Sequence, residues 1–366
     1  MKGQWIGKTK GDSEGKIIIN IDDLGEYYGG VSYFFPDNNK LPASAALFKT
    51  KDKKAKSEFE AETRPINPKT GFPCQWEDIE KLYPSITHSK KADGIIHLKE
   101  NELYLNAKTD TDIRMECNIV KKPHKIYSEV SGDIKSWEGY KSLVSKLSRH
   151  KNLFRGQEEP WKLKTSFHRK SRYDLLRFMD IDIPHLHRNL CARTSHVFNL
   201  GIPNEYGAFL NLVQHHGYPT PLLDWTYSPY VAAFFAFKDV PKNEASEGHV
   251  RIFIFDNEKW RKDWIQLLTL ETAGLHLSIM EFLAIDNERL IPQQSVTTVT
   301  NIDDIESYIK EKETENKCSY LTAINISVSE RNEVMQQLSF MGITSGSMFP
   351  GLDGACEGLK EKMFAE

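Results

Sequence analysis

The stretch that most constrains this chain is residues 214–237, QHHGYPTPLLDWTYSPYVAAFFAF. It opens on amide and imidazole side chains, passes a glycine and two prolines, and ends in a dense apolar run. Leu-Leu-Asp-Trp-Thr in its middle has the composition of a short strand. Ser228 ahead of Pro229 reads as an N-cap followed by proline at the first helical position, which marks a helix start. Loop, short strand and capped buried helix therefore follow one another. The Thr226 and Ser228 hydroxyls, the Asp224 carboxylate and the Trp225 ring all fall at the strand-to-helix junction. Junctions of this kind present polar groups to a ligand from a rigid base.

A chain of 366 residues is long for one core, so two domains are expected. The formal charge of −3 argues against a nucleic-acid footprint spread over the whole chain. The five cysteines are scattered without CxxC spacing, and an odd count fits a disulfide framework badly. A reducing compartment, with the thiols as buried fillers, is the simpler reading. The N-terminal residues lack the apolar core of a signal peptide, and no apolar run approaches the ~20 residues of a membrane span. These features point to a cytoplasmic protein with no membrane partner.

Residues 1–125 read as a small all-β domain, a barrel or a sandwich. Short branched and aromatic segments at 5–7, 16–22 and 27–35 alternate with hairpin-like turns at 11–15 and 22–26. Residues 95–98 and 102–107 form a further hairpin around Lys-Glu-Asn. The lysine-rich tract 49–56 reads as a solvated loop. Trp5 and Tyr33 are read as core residues. Pro123 and His124 mark a linker start.

Beyond it, Trp137, Tyr140, Leu143, Val144 and Leu147 draw one helical stripe within 133–150. Asn152-Leu-Phe-Arg-Gly-Gln157 is a short apolar strand ending in Arg155-Gly156. A surface salt bridge is the ordinary account of an arginine; the adjoining glycine, which permits close backbone approach, sets a functional reading beside it. Residues 161–213 read as helical, with pieces at 173–179, 184–198 and 206–214. The spacing of His185, His187 and His196 matches no metal motif. His215 and His216, taken as strand neighbours, point in opposite directions and do not serve one metal; one lining a polar pocket and one satisfied structurally are equally compatible. A polar break at 240–248 precedes the apolar strand 249–255, and 259–270 is helical or mixed. Residues 281–299 read as strand, polar turn at Asp286-Asn287, then strand. Glu288 opens the second strand, either semi-buried with a raised pKa or solvated in the turn. Residues 303–317 fit an exposed helix, 320–326 a strand, and the tail a turn at Pro350-Gly351 followed by a short helix.

Three ordered blocks resemble the FRG domain family: Phe154-Arg155-Gly156, HHGYPTPLLDWTYSPYVAAFFA at 215–236, and Asn287-Glu-Arg-Leu-Ile-Pro-Gln-Gln294 with a late Ser-Met-Phe-Pro-Gly-Leu-Asp-Gly at 347–354. The resemblance extends over roughly 135–360. The family's usual glycine after the paired glutamines is Ser295 here. The motif order is also similar to arginine-type ADP-ribosyltransferases, with an early strand arginine, a hydroxyl strand running into a helix, and a late glutamate ahead of an apolar-apolar-Pro run. The resemblance implies an α+β ADP-ribosyltransferase-like domain over 133–366 that takes NAD as substrate. It implies Arg155 on the phosphates or ribose, Thr226 or Ser228 orienting the glutamate, and Glu288 as the catalytic carboxylate. Gly156, Gln157, His215, His216, Asp224, Trp225, Tyr227, Gln293 and Gln294 would line the nucleotide site, with Trp225 or Tyr227 able to stack on nicotinamide. A planar guanidinium suits a pyrophosphate through bidentate contacts, and a carboxylate stabilises an oxocarbenium-like state.

The leading expectation is thus ADP-ribosyl transfer to a protein, nucleic-acid or small-molecule acceptor, or NAD hydrolysis. A toxin or antiphage-defence setting follows from the resemblance alone. One rival is a non-catalytic nucleotide- or protein-binding module that keeps Arg155. The other is a metal-dependent nucleic-acid hydrolase using Asp224, His215 and Asp353, for which no metal-ligand spacing exists.

Overall fold

The computed structural model describes residues 1–121, 123, 125–241, 247–267 and 269–364. His124 of the expected linker and residues 242–246 of the expected polar break lie outside them.

The first half is a closed barrel of eight strands, each antiparallel to the next: β1 (Gly3–Gly11), β2 (Gly15–Asp23), β3 (Tyr28–Pro36), β4 (Ser44–Thr50), β5 (Lys56–Pro65), β6 (Lys91–Lys99), β7 (Glu102–Thr109) and β8 (Arg114–Val120). Lys10 and Gly11 of β1 meet Glu116 and Met115 of β8 to close it. Of the two architectures the sequence allowed, the barrel is the one formed. The tract 49–56, expected as a solvated loop, forms the bend 51–55 between β4, which runs to Thr50, and β5, which starts at Lys56. In β5, Phe59 and Ala61 are buried while Glu58, Glu60 and Glu62 are exposed, a period-two pattern with carboxylates facing out.

β2 is nearly continuous in its apolar residues because both of its faces are covered. Ile17, Ile19 and Ile21 point into the barrel core, whereas Ile18 packs with Val31, Tyr33 and Ala45 against Leu176 and Ala273 of the second half. Polar contacts complete the joint. Asp22, fully buried, accepts from Arg172 Nε at 2.6 Å and from the Tyr173 N–H at 2.6 Å. Gln4 donates to the Asn301 carbonyl at 2.7 Å, and its Oε1 accepts from the Asp303 N–H at 3.1 Å.

The second half is built on a seven-stranded sheet of β9 (Gly132–Ile134), β10 (Asn152–Gln157), β11 (Leu222–Thr226), β12 (His249–Asp256), β13 (Leu277–Met280), β14 (Ser295–Thr300) and β15 (Leu321–Ser327), in the order β13-β14-β11-β10-β12-β15-β9. Only β9 runs parallel to its neighbour, so the sheet is mixed. Apolar layers cover both faces. On one side Phe154 and Ile252 meet the Pro229–Phe237 and Trp137–Val144 helices; on the other Leu153 and Phe253 meet Trp260, Ile305 and Ile309. Among the described residues no helix is long and apolar enough to cross a membrane.

The expected strand–turn–strand over 281–299 is corrected. Residues 281–294 form no strand, and only Ser295–Thr300 joins the sheet. Asp286 and Gln294 take left-handed backbone at φ 53° and 46°, which breaks extended pairing before Ser295. The 303–317 segment is helical over Ile305–Asn316, yet Ile305, Glu306 and Ile309 are buried, so one face of the expected exposed helix closes the core.

Candidate functional site

The sheet places Arg155 and Asp224 side by side because β10 and β11 are neighbours, with Phe154 opposite Thr226. Gly156 is required where the Pro229–Phe237 helix lies directly on β10. A Cβ there would stand 1.8 Å from the Ala232 carbonyl oxygen and 2.8 Å from the Ala236 nitrogen. That helix begins where expected: Ser228 Oγ accepts from the Val231 N–H at 3.3 Å and Pro229 holds the first turn.

Above this junction lies a cavity of about 290 Å³. Arg155, Asp224 and Thr226 form its sheet side, and Asn211, Gln214 and His215 come from the end of the Pro203–His215 helix. Asn287, Arg289, Leu290 and Gln293 come from the irregular turn, with Phe235 and Phe349 as apolar walls. Among the described residues, Asp224 is the one carboxylate in this lining.

The charges are arranged unevenly. Arg155 Nη1 donates to the Asp224 main-chain carbonyl at 2.6 Å, and its Nε to Gln157 Oε1 at 3.4 Å. Burial pulls the Arg155 guanidinium down to about 10; Asp224 draws it back up and Arg169 pushes it further down. The Asp224 side chain is exposed on the cavity side, yet protein atoms crowd around its carboxylate, and the resulting desolvation raises its pKa. Arg155, a 2.6 Å hydrogen bond from Gln214 Nε2 and Arg169 oppose the rise. Gln214 in turn accepts a hydrogen bond from the Thr220 hydroxyl. Burial, then Arg289 and His216, lower His215 to about 4, so its imidazole is neutral at pH 7.

Arg289 was not among the residues singled out in the sequence. Its guanidinium stands 5.1 Å from the Phe349 ring centroid, and its buried Nε has no hydrogen-bond partner. A buried guanidinium donor without an acceptor, at the wall of a polar cavity, is the group that an anionic ligand would satisfy. The only sequence signal for it was its place in Asn-Glu-Arg.

The other expected residues divide between the cavity and the scaffold. Glu288 is exposed and does not line the cavity, although Asn287 and Arg289 on either side of it do. The semi-buried strand position proposed for it does not exist, because the segment is a turn. Thr226 lines the cavity, but its hydroxyl donates to the Gln293 carbonyl at 2.7 Å and accepts from the Ser228 N–H at 3.0 Å. Ser228 is a helix cap and lies outside the lining.

Trp225 contributes to the cavity lining, but its ring packs at 5.5 Å on Phe255 in the core and its Nε1–H donates to Thr298. Tyr227 is turned to Glu281, to which its hydroxyl donates at 2.7 Å, and it lies outside the lining. Gln157 is buried, donating to the Trp161 carbonyl at 2.7 Å. Gln293 donates to the Met348 carbonyl at 2.8 Å, tying the late Ser-Met-Phe block to the cavity, while the Gln294 carbonyl accepts from the Tyr227 N–H. His215 and His216 are not on a strand. They end a helix, where successive residues turn by about 100°, and His216 lines a neighbouring cavity with Leu186 and Asp286. Asp353 is exposed in the Leu352–Met363 helix and does not join Asp224 and His215 in the lining. Among the described residues no group of three His, Cys, Asp or Glu side chains is placed to hold a metal ion.

Searches of curated proteins and of solved structures each found no match to the chain. A scan of family models matched residues 150–245, which hold the first two motif blocks and leave the third outside. The chain therefore carries, over residues 150–245, an FRG domain.

Proposed function

We propose that the FRG domain cavity binds the phosphate-bearing part of NAD and cleaves its nicotinamide–ribose bond, transferring ADP-ribose to an acceptor or to water. The observation that carries this reading is the convergence of Arg155, Arg289 and Asp224 on one polar cavity. Two guanidinium groups suit a pyrophosphate, and a single carboxylate beside them suits the cationic sugar. Asp224 takes the part first expected of Glu288. The C1′–N bond breaks with its electron pair going to nicotinamide. The acceptor oxygen or nitrogen bonds to C1′, and its proton passes to Asp224, whose raised pKa makes it the better base. The cavity is small for a whole dinucleotide, so the remainder of NAD would extend from its mouth.

A second reading is a non-catalytic nucleotide-binding module. It is favoured by the exposed Glu288 and by the Thr226 hydroxyl being engaged with the main chain. Nicotinamide release and NAD binding, measured on the full chain, separate the two. The catalytic reading expects turnover that Asp224→Asn abolishes while NAD still binds, and Glu288→Gln behaving as wild type. Under either reading Arg155→Ala weakens binding about tenfold or more, since a hydrogen bond to a charged group contributes ~1.5–3 kcal/mol. Binding without turnover in wild type leaves only the module; no NAD binding at all removes both.

A further inference from the structure

The barrel holds a second cavity, of about 150 Å³, which is lined mainly by apolar side chains. An eight-stranded barrel is just wide enough for its inward side chains to fill, so a void needs a cause. The cause is a layer of small residues. Ala46, Ala61, Ala92 and Ala107 all line the cavity, from four consecutive strands. Ala61 pairs with Ala92 and Ala107 with Gly94 in the register. Opposite them stand Ile17, Ile19 and Phe34. The far end of the lumen is filled, since Met1, Trp5, Ile21, Leu103 and Ile119 belong to the barrel core but not to the lining. The cavity instead lies toward the end where Leu41, Pro42, Ile113 and residues 86–89, all from connecting loops, close over it.

Among the described residues, one fully buried polar side-chain atom in this lining lacks a partner. His88 lies flat on Trp76, with ring centroids 5.1 Å apart at 8°, and its buried Nε2 makes no hydrogen bond. Burial lowers the His88 pKa, against a hydrogen bond to the Thr63 backbone, so the ring is neutral. On a neutral imidazole Nε2 can serve as an acceptor.

We infer that the barrel is a binding site for a compact apolar molecule, about one aromatic ring in size, that carries a single O–H or N–H directed at His88 Nε2. A cavity of this volume lined mainly by aliphatic and aromatic groups has room for a benzene-sized ring. The inference does not depend on the reading of the FRG domain cavity, and the two tests fail separately.

Phenol and benzene are the probes, titrated into the full chain and followed by thermal melting and by the methyl resonances of Ile17, Ile96 and Met115. Phenol is expected to bind saturably and about tenfold more tightly than benzene. Ala107→Leu, or Ala61→Val should the first not fold, fills the void and lowers the affinity for both at least tenfold. His88→Phe keeps the stack on Trp76, leaves benzene binding in place and removes the preference for phenol. Undiminished phenol binding in a folded cavity-filling variant, or no saturable binding to wild type, overturns the site. A phenol preference that survives His88→Phe overturns the role of the imidazole.

Discussion

The barrel lumen and the FRG domain cavity are built by opposite means. The lumen is apolar and assembled from strands that pair with their sequence neighbours, so each wall is a local affair. The FRG cavity is polar and collects Arg155, Gln214, Asp224, Arg289 and Phe349 from segments almost two hundred residues apart. Slack differs accordingly. In the lumen small side chains leave room that a larger one can occupy. At the FRG junction the main chains of strand and helix are in contact, and nothing can give way.

The largest expected effect tests that contrast directly. Gly156→Ala puts a Cβ against the Ala232 carbonyl oxygen, a backbone atom that cannot rotate aside. It should destabilise by about 3 kcal/mol, the upper part of the overpacking range. Ala107→Val in the lumen should stay within about 1 kcal/mol of wild type. Equal losses in denaturation curves for the two variants would erase the distinction.

The joint between the regions gives the next effect, and a pH-dependent one. Asp174 is buried, and its pKa is raised to about 6, chiefly by burial and further by Asp22; the Arg177 N–H, Arg172 and Arg177 work against the rise. Because the folded pKa exceeds the unfolded one, the native state holds this proton more tightly between about pH 4 and 6. Stability from this group is therefore lost as pH rises through that window, and the cost is complete above it. Asparagine can still accept from the Arg177 N–H that Asp174 caps at 3.0 Å. Relative to wild type, Asp174→Asn should gain roughly 2–3 kcal/mol on going from about pH 4 to about pH 7. His168 and His276, kept neutral near a pKa of 4 by burial, have the opposite sign and cancel in this difference. A gap between variant and wild type that is flat with pH would mean that Asp174 is charged without penalty.

The same contrast explains what could be read from the sequence. Hairpins with turn residues and alternating strands announce a barrel locally, as β1–β3 and the β6–β7 pair did. β5 was lost to the lysines around it, although its Glu-Phe-Glu-Ala-Glu alternation carried the signal. In the second half, β10, β11 and the capped helix after them were legible because proline, serine and an apolar run act within a few residues. Glu288 and Arg289 were not separable in that way. They are adjacent, and only the irregular backbone from Asp286 to Gln294 decides that the arginine lines the cavity while the glutamate faces solvent. Periodicity has no purchase on such a turn, and a motif order borrowed from other enzymes selected the wrong neighbour for the cavity.

Ser228 supplies the smallest and most selective test. Its hydroxyl sits at the junction where a catalytic group was expected, yet it accepts from the Val231 N–H at the start of the helix. Removing an N-cap hydroxyl costs about 1 kcal/mol. Ser228→Ala should therefore lower stability by that amount and leave the proposed NAD binding unchanged, because Arg155 and Arg289 are held by other elements. Ser228→Asp restores a capping acceptor and should recover the stability. If Ser228→Ala instead reduces NAD turnover or binding tenfold with only the small stability loss, the hydroxyl reaches the ligand. The helix would then contribute chemistry as well as support, and the division drawn between scaffold and cavity at this junction would have to move by one residue pair.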